Sequence, residues 1–229
     1  MIGFYSEIDD MIVLALDTAG VDCAAALYDS GRDAVLGEAS DLIGKGHAEH
    51  LMGIIDRVLK QADMKLAMAE RVAVTIGPGS FTGIRVGVAA ARGFGLALNI
   101  PTVGITTLET MAAAQREKTP SRPVLAAMDA KRGEIYLQSF SADGLAFDEP
   151  RAVTVEEAQA FAANFDGEIT GSATPLLKPN ATGEHANKFP ISIVARLGAA
   201  ADPGSGKPKP LYLRGPDAKP QAGFAIARV

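Results

Sequence analysis

The stretch Val72-Ala73-Val74-Thr75-Ile76-Gly77-Pro78-Gly79-Ser80-Phe81-Thr82-Gly83-Ile84-Arg85-Val86-Gly87 passes from a β-branched apolar run through a glycine turn into a run of small residues. Val72 to Ile76 reads as a short strand covered on both faces. Gly77, Pro78 and Gly79 end it, because glycine tolerates positive φ and proline offers no N–H. Ser80 or Thr82 can accept from the free N–H groups of the helix that follows. A strand entering a helix through glycines brings unpaired amides and the positive helix end together, an arrangement that suits an anion. The stretch lacks the Gly-Lys-Ser/Thr of a P-loop and the Gly-x-Gly-x-x-Gly spacing of a dinucleotide fold. A tight structural turn is therefore the favoured reading, and a phosphate or partner contact is the alternative.

Outward from this stretch the chain alternates strands and helices. Met11 to Thr18 is a strand ending in an acid and a hydroxyl, Val21 to Tyr28 returns, and a third strand covers Ala34 to Ser40. A helix from about His47 to Ala62 carries Leu51, Ile54, Ile55, Val58 and Leu59 at helical spacing, and Met52 widens its stripe. The helix Arg85 to Asn99 is narrow, with Gly87, Ala90, Ala91, Gly95 and Ala97, and places Arg85 and Arg92 on one face. Each helical glycine costs about 1 kcal/mol, so close packing of another helix is expected there. Ile100 to Gly104 is a strand and Thr106 opens a helix to about Glu117.

Thr119-Pro120-Ser121-Arg122-Pro123 is the best boundary. Beyond it, Val124 to Asp129 echoes Val13 to Asp17, and Glu134 to Phe140 returns as the second strand did. Thr154 and Glu157 form a capping box, Glu168 to Ser172 repeats strand-then-glycine, and Ile191 to Ala201 is a helix. The order hairpin, helix, strand-glycine, helix thus occurs twice, which points to duplication. The expected divisions are a loose extension at 1–10, a first lobe at 11–118 and a second lobe at 119–229. A Pro-rich tail from about 202, basic through Lys207, Lys209, Arg214 and Lys219, reads as a solvated, mobile segment.

The 229 residues are 48% hydrophobic and 21% charged, ample for a core, and the net charge is −5. That balance argues against a free-standing nucleic-acid binder. One cysteine, Cys23, rules out an internal disulfide framework and fits a reducing compartment, with burial as the expected role of its thiol. Met1 to Asp10 has acids and no basic residue, unlike a signal peptide, and no apolar run reaches the roughly 18 residues of a membrane span.

Chemistry is sparse. His47 and His50 lie three apart, whereas a zinc-protease helix needs them four apart with the acid adjacent, and His185 sits in a remote polar loop. Asp17, Glu49 and Glu109 stand on unrelated elements, and no Gly-x-Ser-x-Gly elbow occurs. Two halves that each open with a hairpin ending in Asp resemble the actin, hexokinase and Hsp70 type of nucleotide-binding fold. The hairpin tips Asp17-Thr18-Ala19-Gly20 and Asp129-Ala130-Lys131-Arg132-Gly133 suit phosphate poorly, because their glycines come late.

Leu14 to Thr18, His47-Ala48-Glu49-His50-Leu51, Ile76 to Gly87, Asp129 to Tyr136 and Pro210-Leu211-Tyr212-Leu213-Arg214 together resemble the TsaB (YeaZ) family, over nearly the whole chain from Met11. The resemblance implies an α/β, actin-like (ASKHA), duplicated two-lobe fold, with a mixed sheet flanked by helices in each lobe. It implies a cytoplasmic, non-catalytic subunit needed to make threonylcarbamoyladenosine in tRNAs reading codons that start with A. Such a subunit pairs with TsaD, recruits TsaE through that pair, forms a homodimer in isolation, meets tRNA only through the complex and has no membrane role. The expected partner interface is Leu51, Met52, Ile55, Leu59, Arg85, Val88, Ala91 and Arg92, facing outward together. Asp17, Thr18, Gly77, Gly79, Ser80, Gly83 and Asp129 are the candidate nucleotide or phosphate residues. No catalytic residue, metal ligand or tightly bound cofactor is expected, with ATP or ADP and magnesium as the candidate group in the assembled complex. Two alternatives stand beside this: an actin-like protein that binds ATP by itself, and a metal-dependent glycoprotease through His47 and His50.

Overall fold

A computed structural model describes residues 10–178 and 187–214. Its first sheet takes β1 (Ile12–Asp17), β2 (Asp22–Asp29), β3 (Ala34–Leu42), β4 (Arg71–Gly77) and β5 (Thr102–Thr106) in the order β3-β2-β1-β4-β5. β1 runs antiparallel to β2 and parallel to β4. The second sheet takes β6 (Val124–Lys131), β7 (Glu134–Phe140), β8 (Arg151–Thr154) and β9 (Glu168–Thr170) in the order β8-β7-β6-β9. Here β6 runs antiparallel to β7 and parallel to β9, so the second sheet repeats the first without its fifth strand. The duplicated, actin-like two-lobe expectation is met. β8 was not foreseen, because it is a short edge strand with no buried residue.

Alternate residues of the central strands supply two cores per sheet, as the twofold strand period requires. Leu14, Leu16, Leu27, Val72 and Val74 face α1 (His47–Gln61) and α2 (Phe81–Leu98). Val13, Ala15, Ala26, Ala73 and Ile105 face α6 (Ile191–Ala200) on the other side. In the second sheet Leu125, Ala127, Ile135 and Leu137 pack with α4 (Val155–Ala163) and α5 (Thr174–Leu177). α3 (Thr107–Lys118) lies between the sheets, and its Leu108, Met111 and Ala112 join the first core to Val124, Ala126 and Met128 of β6.

α6 therefore belongs to the second half in sequence and to the first sheet in space. Buried Arg71 at the start of β4 holds it there. One guanidinium nitrogen donates to the carbonyls of Gly198, Ala199 and Ala201 at 3.0, 2.8 and 3.0 Å. Those are the orphan carbonyls of a helix C-terminus, and a cation there also suits the helix dipole.

Two expectations need correction. α2 is 18 residues long with mean hydropathy 1.2, so by length and composition one helix among the described residues could cross a membrane. Arg85 and Arg92 break the apolar run that the eye follows, but not the average. The tail is not a loose solvated segment through residue 214. Pro208 is buried, and the Leu211 N–H donates to the Ile76 carbonyl at 2.8 Å. The apolar ring of Pro208 and the spare carbonyl at the end of β4 hold a stretch whose composition reads as polar loop.

Candidate functional site

The end of β1 and the glycine turn after β4 meet, and they meet without a gap. Ser80 caps α2, its hydroxyl accepting from the Gly83 N–H at 3.2 Å, while Thr82 is an exposed first-turn residue. The Ser80 N–H donates to the Ala19 carbonyl at 2.8 Å, and the Thr18 hydroxyl donates to the Gly83 carbonyl at 2.7 Å. A Cβ on Gly79 would stand 2.4 Å from the Ala19 carbonyl oxygen, and one on Gly83 only 1.9 Å from that of Thr18. On Gly87 it would stand 2.4 Å from the Thr18 hydroxyl. These glycines let one stretch of backbone press on another.

Asp17 sits beneath this contact with no exposed surface. Its Oδ1 accepts from the Thr75 hydroxyl at 2.6 Å and the Ala19 N–H at 2.9 Å, while Oδ2 has no partner among the described residues. Burial pushes its carboxyl up from 3.8 to about 6, against the pull of the Thr75 and Ala19 hydrogen bonds. Thr75 is the partner that sequence reading missed, since a threonine inside a strand gives no sign of facing an acid 58 residues away.

Asp17, Thr18, Gly77, Gly79, Ser80 and Gly83 are thus brought together, and Asp129 is not. Asp129 ends β6 on the other sheet, where Lys131 engages it through its N–H at 2.8 Å and its ammonium at 2.7 Å. Burial would raise that carboxyl, but the hydrogen bonds and charge of Lys131 bring it below its usual value. An actin-like fold implies a nucleotide phosphate gripped between the two hairpin tips. The residues present do not fit one. Protein backbone already fills the room beside Gly79 and Gly83, and a lysine already neutralises Asp129.

His47 and His50 are not brought together either. His47 is buried, its Nε2–H donating to the Asp22 carbonyl at 3.2 Å, whereas His50 is exposed. Cys23 is fully buried, its thiol donating weakly to the His47 carbonyl at 3.9 Å and pushed up to about 12 by burial, then by Asp17 and Asp41. Glu109 in the first turn of α3 is also raised by burial. His185 lies outside the described residues.

The outward surface of α1 and α2 differs from the expected interface. Leu51, Ile55, Val88 and Ala91 are buried in the first core and Leu59 is half-buried, so these five do not face outward. Met52, 55% exposed, and Arg85 and Arg92 do. Helical periodicity identifies an apolar face without saying what covers it, and here the sheet does. The small residues of α2 likewise serve the sheet: a Cβ on Gly95 would lie 2.3 Å from the Thr102 methyl group.

Two glycines are exceptions, and sequence reading passed over both. Gly53 in α1 and Gly93 in α2 are exposed, and a Cβ on either would meet none of the described residues within 4 Å. Around them lie Met52, Ala89, Arg92 and Leu96, the last 82% exposed. At the N-terminal end of α2, Phe81 and Arg85 carry the ring of Tyr212. The Arg85 guanidinium lies 3.7 Å from the Phe81 ring centroid, and its Nε–H donates to the Tyr212 hydroxyl at 2.8 Å.

Residues 40–171 match the family model described as TsaD: tRNA N6-adenosine threonylcarbamoyltransferase. An uncharacterised protein of Mycobacterium tuberculosis (strain ATCC 25618 / H37Rv) is 34% identical over 227 residues, covering 95% of this chain and 98% of that one. The tRNA threonylcarbamoyladenosine biosynthesis protein TsaB of Escherichia coli (strain K12) is 34% identical over 133 residues, covering 58% of this chain and 56% of that protein. The match thus spans little more than half of the E. coli relative. YeaZ from Pseudomonas aeruginosa shares the fold at 22% identity with a TM-score of 0.71, covering 89% of this chain and 100% of that one.

Proposed function

Because the chain belongs to the TsaD family, on its TsaB (YeaZ) side, we propose that it takes part in forming threonylcarbamoyladenosine in tRNA as a non-catalytic subunit. It pairs through the outward faces of α1 and α2 with TsaD, the paralogue that carries the chemistry, and in its absence with a second copy of itself. TsaE joins through the pair, and tRNA meets the complex, not the lone chain.

The observation that carries this reading is the pair Gly53 and Gly93. A glycine inside a helix costs about 1 kcal/mol relative to alanine, and most helical glycines here repay it by packing on the sheet. Among the described residues these two meet only open space, beside an exposed methionine and leucine. A partner helix lying across them would use that room. The buried, hydrogen-bonded state of Asp17 and the lysine-paired state of Asp129 further favour a scaffold over a hydrolase.

The test is light-scattering size exclusion of this chain alone, mixed with TsaD from the same organism, and repeated with Met52→Glu. A 1:1 complex that wild type forms and the variant loses supports the interface. Complex formation undiminished by Met52→Glu moves the interface elsewhere, and no mixed species at all removes the pairing. Threonylcarbamoyladenosine in bulk tRNA of a strain carrying Met52→Glu as its sole copy should fall with the complex.

A further inference from the structure

The tail crosses from one lobe to the other, and each end of the crossing is held by a different lobe. On the first lobe Pro208 is buried beside Gly104 of β5, and the Leu211 N–H adds to the end of β4 through Ile76. There Tyr212 rests on α2, its ring centroid 5.3 Å from that of Phe81 and its hydroxyl accepting from Arg85. On the second lobe the Arg214 guanidinium donates to the carbonyls of Ala130 at 3.3 Å and Lys131 at 3.2 Å, and pairs with Glu134. Those three residues flank the turn of the β6–β7 hairpin. Tyr212 and Arg214 are two positions apart with Leu213 between them, a reach of at most about 7 Å, and the chain bends at Leu213 and Arg214, so the two holds lie close together along it.

We propose that residues 208–214 are a strap that sets the angle between the two lobes, with the Arg85–Tyr212 clasp at one end and the Arg214 clasp on the β6–β7 hairpin at the other. The turn Lys131-Arg132 offers Arg214 backbone carbonyls because both residues hold positive φ, 63° and 58°, which turns the peptide groups out of the ladder. Arg214 is about four-fifths buried, and a charge so placed keeps a single geometry better than a surface ion pair does. The strap also ties the N-terminal end of α2 to the second lobe, so a displacement of either is felt by the other. This inference stands independently of which partner the chain meets.

Spin labels at Glu49→Cys on α1 and Glu156→Cys on α4 report the lobe-to-lobe distance, Cys23 being buried, and amide exchange at Leu211 reports the strap. Arg214→Ala and, separately, Arg85→Leu should each accelerate Leu211 exchange at least about tenfold. Both should shift and broaden the label distance in the same way, since they release opposite ends of one strap. Glu134→Gln, which keeps the fold of the hairpin and removes only a charge, should shift it less. Faster exchange at Leu211 with the label distance of wild type would reduce the segment to a docked tail and overturn the proposal. So would wild-type behaviour in both readouts.

Discussion

Asp17 shows how one residue type can serve opposite ends in related architectures. Its position at the end of β1 suggests a phosphate or metal ligand, yet here it accepts from Thr75 and Ala19 under a lid of packed backbone. Between its ordinary value of 3.8 and its folded value of about 6, the unfolded chain has released the proton and the folded chain still holds it. The Asp17 contribution to stability is therefore greatest below pH 3.8, falls as pH rises to about 6 and is level above that. A shift of that size corresponds to roughly 3 kcal/mol. Asp17→Asn keeps an acceptor for Thr75 and carries no charge. In urea melts from pH 4 to 7, the stability of the variant relative to wild type should climb by about 1–3 kcal/mol. A difference independent of pH would mean the carboxylate is solvated. Gly83→Ala is the converse residue-scale test, since its methyl group would collide with the Thr18 carbonyl oxygen. It should lose roughly 2–4 kcal/mol in the same melts, because backbone cannot move aside as a side chain can.

Helices α1 and α2 each carry two faces with different tasks. Their buried faces, with Leu51, Ile55, Val88 and Ala91, belong to the sheet. A charge at Ala91 would enter the core and unfold the lobe, so it cannot probe an interface. Their outward faces hold Gly53 and Gly93, and substitution there has opposite expected effects on folding and on assembly. Gly53→Ala and Gly93→Ala should each raise the stability of the isolated chain by up to about 1 kcal/mol. The same methyl groups should weaken assembly, because in the proposed pairing they stand where the partner helix comes closest. Thermal melts of the lone chain and light scattering of the complex separate the two effects. Unchanged assembly in both variants would leave these glycines without a packing reason.

At the scale of the molecule, the two sheets are joined by segments that leave their own half of the sequence. α6 returns to the first sheet, where Arg71 receives it, and the strap after Pro208 returns to β4 and ends on the second hairpin. Arg71→Ala would leave three carbonyls at the end of α6 without their cation and open a cavity at the edge of the core. A loss of roughly 3–5 kcal/mol is expected. Limited proteolysis should then cut first on either side of α6, and a variant as resistant as wild type would show that the helix holds by apolar packing alone.

Local patterns alone determined most of the strands and helices and the duplicated order, the short β8 and α5 excepted, because twofold and 3.6-fold periodicities and caps such as Thr154 with Glu157 act within a few residues. They also brought Asp17, Thr18 and the glycine turn under one suspicion, and these do meet. What occupies the meeting place was a tertiary decision: Gly79 and Gly83 accommodate the carbonyls of Ala19 and Thr18, and only the folded chain decides which neighbour uses a missing side chain. The same holds for Ala91 and Gly93, two small residues on one helix, of which the sheet covers the first and nothing among the described residues covers the second. The tail makes the point over the longest distance. Its prolines and lysines read as loop, while its docking depends on Ile76, Arg85 and Glu134, which no sequence interval connects to it.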